Sequence, residues 1–324
     1  MNYENNYIDY LKKLKKNELT DIIKDYNLFS EIFKIEKIDL KNTKKNQIID
    51  EIIKIKEDYL KYIILSLDLE DFNKLKEIIH KKVDNEYLIS NREFINYLIE
   101  KKIIFKGNEL LMAQDIKETI IKLIKNKEVI KYINTWDRIY KLVDGIIIAY
   151  GVVSIKYFNI VISGIPEKEL IIPKLNYYYK KEYKIDSKKI MSNKLTNKKR
   201  IDKYLKDNNY KYFTNKDYVL LGSIFYHHNI KSYKKFIKML KSNYIFKNKD
   251  IEFVDKYIVI PYLYNSLNEE EIAKDNLEET VIKYFEFKKD KLKNKMLEEI
   301  IKIRDEFPLW EYRGYTKKEV ENEK

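Results

Sequence analysis

Apolar residues recur at intervals of three and four along most of this chain, with Lys, Asn and Glu between them. That period is helical. Tyr7, Ile8, Leu11 and Leu14 lead into a segment that Asn17 is placed to cap and that runs to Tyr26. An irregular stretch over 27–40 follows, and a further helix opens after Asn42. Residues 68–80 are amphipathic, with Phe72, Leu75, Ile78 and Ile79 on one side. Ser90 and Glu93 have the spacing of a capping box for a helix through Leu98. Ile103–Met112 reads as strand, Gly-Asn turn, strand. A helix from Thr135 to Tyr150 stops at Gly151, which suits a left-handed C′ position. Val152-Val153 then extends, and Ser154 caps a helix over 155–162. Residues 216–241 read as two helices joined at Asn229, and 244–246 with 257–260 as a short strand pair closed by Pro261. Ser266 and Glu269 form a second capping box, opening helices whose apolar face runs across 270–304.

The expected fold class is therefore mainly α: a multi-domain helical protein with winged-helix-like units and small β-hairpins. The pattern divides the chain into a helical module over 1–57 and a helical, winged-helix-like domain over 58–128. A helix–turn–helix-like domain over 129–265 and C-terminal helices with an ordered tail over 266–324 complete it. Composition agrees. With 44% hydrophobic and 36% charged residues, six Gly and four Pro in 324 residues, long regular elements with few tight turns are expected. There is no Cys, so disulfides and thiolate metal sites are excluded. The N-terminal residues lack the layout of a secretory signal, and the longest apolar run, 145–153, falls short of the ~20 residues of a membrane span. A cytoplasmic protein without membrane contact is the expectation.

Charge adds one strong asymmetry. Residues 174–216 hold fourteen basic residues against four acidic, a net of +10 where the whole chain carries +13. Seven tyrosines and Phe213 are threaded through that stretch, and cations beside flat rings are the composition of a polynucleotide groove. Only five of the 65 basic residues are Arg, the better residue for forked phosphate and guanine contacts. The charge thus points to non-specific electrostatic attraction. From 265 to 324 there are 13 basic and 16 acidic residues, so the basic centre and the acidic tail are set to attract one another.

Catalytic motifs are lacking. The six glycines stand too far apart for GxGxxG or GxxxxGK[ST]. His227 and His228 are adjacent and within one helix point about 100° apart, so no shared ion, and no metal or cofactor, is expected. Glu182-Tyr-Lys184 and Asp250, Glu252, Asp255 with Lys256 have the acid-and-lysine chemistry of a metal-dependent nuclease in miniature, which needs them on adjacent strands.

Three resemblances add to this reading. The pattern L-K-K-N-E-L-x-D-I-I followed by L-x-N-T-K-K-N-Q-I-I-D-E-I resembles the helix–extended loop–helix of SAP and Rho N-terminal-like modules. That resemblance implies nucleic-acid binding, with Lys41, Lys44 and Lys45 near phosphate. The order apolar helix, Tyr-Gly-Val-Val-Ser, apolar helix resembles the entry to winged-helix domains. Here the second helix has only Lys156 and Asn159 as polar residues, fewer than a recognition helix uses. The ending Trp310-Glu-Tyr-Arg-Gly-Tyr-Thr-Lys-Lys-Glu-Val resembles a group of uncharacterised proteins from low-GC Gram-positive bacteria. Those often continue into a zinc-binding SEC-C module, for which this chain lacks the cysteines. Within the chain, Trp310 and Tyr315 are expected to fold the tail back over a helical core.

The functional expectation is sequence-tolerant binding of DNA or RNA in a regulatory or accessory role, without catalysis. Its contacts would be the three N-terminal lysines above with Tyr183, Lys188, Lys189, Lys198, Lys199, Arg200, Lys203 and Tyr204. The competing expectation is an adaptor or inhibitor, host- or phage-encoded, that docks an acidic protein partner.

Overall fold

Helical spacing becomes helix almost throughout. The computed structural model is mainly α, with two small antiparallel sheets. It describes residues 6–41, 43–80, 85–107, 109–166, 168–178, 182–195, 210–223, 226–244, 247–267, 270–287 and 290–322. The chain divides into two units, Met1–Asp137 and Arg138–Lys324.

The first unit contains α1 (Tyr7–Lys13), α2 (Lys16–Phe33), α3 (Lys45–Ser66), α4 (Leu69–His80), α5 (Asn85–Ser90) and α6 (Arg92–Glu100). The hairpin β1 (Phe105–Lys106) and β2 (Leu110–Leu111) follows, as expected, pairing Phe105 with Leu111; Asn108 of the expected Gly-Asn turn lies outside the described residues. Then come α7 (Gln114–Lys125) and α8 (Lys127–Tyr150). Leu11, Leu19, Ile23, Phe29, Ile52, Ile63, Leu75, Ile78 and Ile120 are fully buried, each contributing about 1.5–3 kcal/mol of transfer free energy against the entropy of ordering it.

Two boundaries differ from expectation. Helix α2 starts at Lys16, where the Glu18 carboxylate accepts the Lys15 backbone N–H at 2.9 Å, so Asn17 is not the cap. It also continues past Tyr26 to Phe33, because Phe29 and Ile32 prolong the buried stripe of Leu19, Ile22, Ile23 and Tyr26. Lys34, at φ 54°, ends it. Asn27 does not break the helix. Its side chain accepts the Ile38 N–H and donates to the Ile38 carbonyl, each at 2.8 Å, and so fastens the returning segment alongside. Similarly, Ser90 closes α5, and Asn91 occupies the N-cap position of α6.

The second unit begins in α8. Glycines at 145 and 222 let that helix touch the end of α11 (Asn215–Leu221) backbone to backbone. A Cβ on Gly145 would lie 1.8 Å from the Tyr218 carbonyl oxygen, and one on Gly222 would lie 1.8 Å from that of Lys141. Gly151 has φ +68°, as its C′ position requires. Beyond it come β3 (Val152–Ser154), α9 (Ile155–Val161), α10 (Lys168–Tyr178), β4 (Tyr183–Ile185) and β5 (Lys189–Ser192). Ser154 caps α9, accepting the Tyr157 N–H at 3.2 Å. Strand order is β3-β5-β4, all antiparallel, with Val153 opposite Ile190 and Lys184 opposite Met191. Helix, strand, two helices, two strands, the last strand central, is winged-helix connectivity.

A 3-10 turn (Tyr226–Asn229), α12 (Lys231–Asn243), α13 (Asn248–Val254), a π-helical turn (Asp255–Val259) and α14 (Ile260–Ser266) come next. α15 (Glu270–Tyr284), α16 (Asp290–Asp305), a second 3-10 turn (Trp310–Tyr312) and α17 (Lys317–Asn322) complete the chain. The strand expected at 257–260 is helical: burial of Val254, Ile258 and Val259 overrides the β propensity of Tyr-Ile-Val-Ile. The proposed partner residues 245 and 246 lie outside the described residues. Ser266 ends α14, with its hydroxyl donating to the Leu263 carbonyl, rather than opening the next helix. Helices α12 and α16 pack together, and the tail folds back as expected: Trp310 is buried, its indole N–H donating to the Ile148 carbonyl at 2.9 Å.

Candidate functional site

The lysines named from the N-terminal pattern gather at the start of α3. Lys41 is exposed and 3.7 Å from the Asp39 carboxylate. Lys44 is exposed at the N-cap, its backbone N–H held by the Gln47 side chain at 2.9 Å. Lys45 turns back, donating to the Lys12 carbonyl at 2.8 Å. Lys41 and Lys44 therefore stand at the positive end of a 22-residue helix, where the macrodipole favours anions.

In the second unit, Lys188 is exposed at the β4–β5 turn. Asp186 shapes that turn by accepting the backbone N–H groups of Lys188 at 2.8 Å and Lys189 at 3.0 Å, which hold its carboxyl below the ordinary value. The Lys188 carbonyl accepts the Ile155 N–H at 2.9 Å, fixing the turn to the start of α9. Lys189 is half-buried, 3.8 Å from Asp186. Lys184 is exposed on β4, Lys156 and Asn159 on α9, and Lys168, Glu169 and Asn176 on α10. Among these residues, lysines outnumber the other exposed polar side chains. Lys198, Lys199, Arg200, Lys203 and Tyr204 lie outside the described residues.

Of the four rings of the basic stretch among the described residues, three are held within the fold; Tyr177, Tyr178, Tyr179 and Tyr204 lie outside the described side chains. Tyr183, expected to stack on a base, is 4% exposed, and its hydroxyl donates to Asp144 at 2.6 Å. Tyr210 packs against Tyr157 at 4.5 Å and Tyr150 at 4.9 Å, and Phe213 is buried; Tyr212 stands out at 80% exposure. Lys211 pairs with Glu319 of the tail, so part of the expected attraction between basic centre and acidic tail is made within the chain. Lys174 is buried, which pushes its amine down to about 6.

Beside Tyr183 opens a cavity of about 390 Å³, lined by Tyr140, Asp144, Glu182, Lys194, Tyr264 and Trp310 among others. Burial raises the Asp144 carboxyl above its ordinary value, and the Tyr183 hydrogen bond and nearby Lys194 only partly oppose that. The Lys194 ammonium lies 4.3 Å from the centre of the Tyr264 ring.

A second constellation was not legible as a unit. His227 and His228 sit in the 3-10 turn, and both rings reach one carboxylate. His227 Nε2 is 3.0 Å from Asp255 Oδ1, and His228 Nε2 is 2.6 Å from Oδ2. The Tyr233 hydroxyl donates to the same carboxylate, at 2.8 and 3.1 Å from its two oxygens. His227, Tyr233 and Asp255 are buried; the His228 side chain is 35% exposed. Burial works to raise the Asp255 carboxyl, but hydrogen bonds from both imidazoles and Tyr233 prevail and hold it below its ordinary value. Asp255 and its acidic neighbours 250 and 252 lie on helical turns, not on the adjacent strands a nuclease-like arrangement needs. The adjacent histidines diverge in a regular helix, but here α12 carries Tyr233 and the π turn brings Asp255 across to meet both. No local spacing relates residue 227 to 255.

No family model, no curated protein and no solved structure matches the chain.

Proposed function

We propose that the protein binds nucleic acid through its phosphate backbone, tolerant of sequence and without catalysis. The observation that carries this reading is winged-helix connectivity whose hairpin, with exposed Lys184 and Lys188, lies within the most basic stretch of the chain. On this reading α9 and α10, one helix later than the 135–150 and 155–162 pair expected from the sequence, take the helix–turn–helix positions, and the β4–β5 turn is the wing. Sparse polar groups on α10 favour positioning on phosphates over base readout. Lys41 and Lys44 on the first unit add a second phosphate-attracting patch, in keeping with the SAP-like pattern around them. Tyr183 supports the core, and Tyr204 lies outside the described residues.

Fluorescence anisotropy with a duplex DNA, a single strand and an RNA hairpin tests this. Affinity is expected to fall steeply between 50 and 200 mM salt, on the order of tenfold for a few phosphate contacts. Lys184→Glu with Lys188→Glu is expected to weaken all three probes and reduce the salt slope by about 1 or more. Binding that stays flat with salt sinks the reading.

A second reading, a docking protein for an acidic partner, is favoured by one observation. Phe253, Tyr257 and Tyr284 are about two-fifths exposed and touch one another, with ring centres 4.8 to 6.0 Å apart. A pull-down that scores nucleic acid and protein together, with Lys198, Lys199, Arg200 and Lys203 all changed to Glu, separates the two. Loss of nucleic acid supports the first reading; loss of a co-purifying protein supports the second.

A further inference from the structure

We propose that His227, His228 and Asp255 form a binding site for a divalent transition-metal ion of the zinc class, with Tyr233 orienting the carboxylate. The donor set is two imidazole nitrogens and one carboxylate, without thiolate. That combination suits Zn²⁺ and its first-row neighbours better than Mg²⁺ or Ca²⁺, which prefer all-oxygen shells.

Geometry is the main argument. A zinc ion with bonds of about 2.0–2.1 Å has tetrahedral donors about 3.3 Å apart. Here both imidazole nitrogens lie 3.0 and 2.6 Å from the carboxylate, and the three ligand atoms fall within 4.8 Å of one another. The widest separation exceeds the tetrahedral spacing by about 1.5 Å, so to admit the ion the rings and the carboxylate turn by on the order of an ångström. Tyr233 bonds both carboxylate oxygens and stacks on the His228 ring at 4.7 Å, the kind of support that fixes a metal ligand's orientation.

Charge supplies an independent argument. Asp255 is buried, and the partners shown for it among the described residues are two imidazoles and a phenol, none permanently cationic. Burying a carboxylate is costly, and a divalent ion held by it offsets that cost. Access exists as well, because the half-exposed His228 brings the cluster to the surface and leaves a coordination position to solvent. Finally, Asp255 opens a π turn in which the Ile260 N–H bonds back to its carbonyl, a distortion found often at functional sites. An ion held there would clamp the 226–229 turn to the 255–259 turn.

The test uses the full-length chain stripped with chelator, with Co²⁺ as the optical probe and Zn²⁺ as competitor. One equivalent of Co²⁺ is expected to bind with a visible d–d band and to be displaced by Zn²⁺. His228→Gln is expected to weaken binding by 100-fold or more, and Tyr233→Phe by about 10-fold or more. His80→Gln leaves it unchanged. Circular dichroism establishes that each variant is folded; if His228→Gln is not, Tyr233→Phe decides. Absence of a d–d band in the unmodified chain, or unchanged affinity in the deciding variant, overturns the proposal.

Discussion

The indole of Trp310 fills the space beside Gly151, with a ring atom 2.5 Å from where a Cβ on that glycine would stand. Gly151 is also left-handed, at φ +68°, and turns α8 into β3. One residue thus meets two demands: the backbone turn that opens the three-stranded sheet and the seat for the tail. Gly151→Ala incurs both strain and overlap. It is expected to destabilise the second unit by about 2–4 kcal/mol in urea unfolding. A loss under about 1 kcal/mol would mean that the tail yields without consequence.

Gly145 and Gly222 set a different constraint. Each faces a carbonyl of the opposing helix, so alanine at either position forces α8 and α11 apart. Either single change is expected to cost about 3 kcal/mol. Once separated, the helices accept the second methyl more cheaply, so the double variant should fall short of the sum by about 1 kcal/mol or more. Additivity in a double-mutant cycle would contradict this.

Asn27 holds Ile38 by both its N–H and its carbonyl. Asn27→Ala leaves those half-buried groups without that partner, at a cost of about 1–3 kcal/mol. Protease cleavage within 34–41 should rise well before global unfolding. Equal protection in variant and parent would rule out the fastening role.

Glu319 links pH to the tail. Burial works to raise its carboxyl, but the Lys211 ammonium and the Thr316 N–H and hydroxyl prevail and lower it from the ordinary 4.5. A depressed folded value means that the contribution is present above about 4.5 and lost as pH falls through the lower folded value. Glu319→Gln should therefore be less stable than the parent at pH 7, modestly given the exposure of the pair, with the difference closing below pH 4.5. A difference constant across that range would place the effect elsewhere.

Much of the second unit's entry was legible in the sequence because its signals are local. Gly151 ends a helix, Ser154 caps the next, and Val152-Val153 between them pairs as a strand. The partner strands were not legible. β4 and β5 lie in a lysine-rich stretch with little strand character, and the outer partner of β5, β3, is more than thirty residues earlier in the chain. Tyr257–Ile260 misled in the opposite sense, since a β-branched run packed among helices becomes helix. In 174–216 the rings and cations suggested one surface; among the described residues Tyr183, Phe213 and Lys174 turn inward while Tyr212, Lys184 and Lys188 stay out. The His227–His228–Asp255 meeting depends on how α12 and the π turn pack, and no residue spacing encodes that.

Tryptophan occurs twice in the chain, and one falls in each unit. Trp136 is half-buried beside Tyr132, whereas Trp310 is sealed in with its N–H bonded to Ile148. Tryptophan emission, excited apart from that of the tyrosines, therefore has two sources in unlike surroundings, and replacing either by Phe leaves a tryptophan reporter confined to one half of the molecule. The order in which the two halves melt can be followed without attaching a dye.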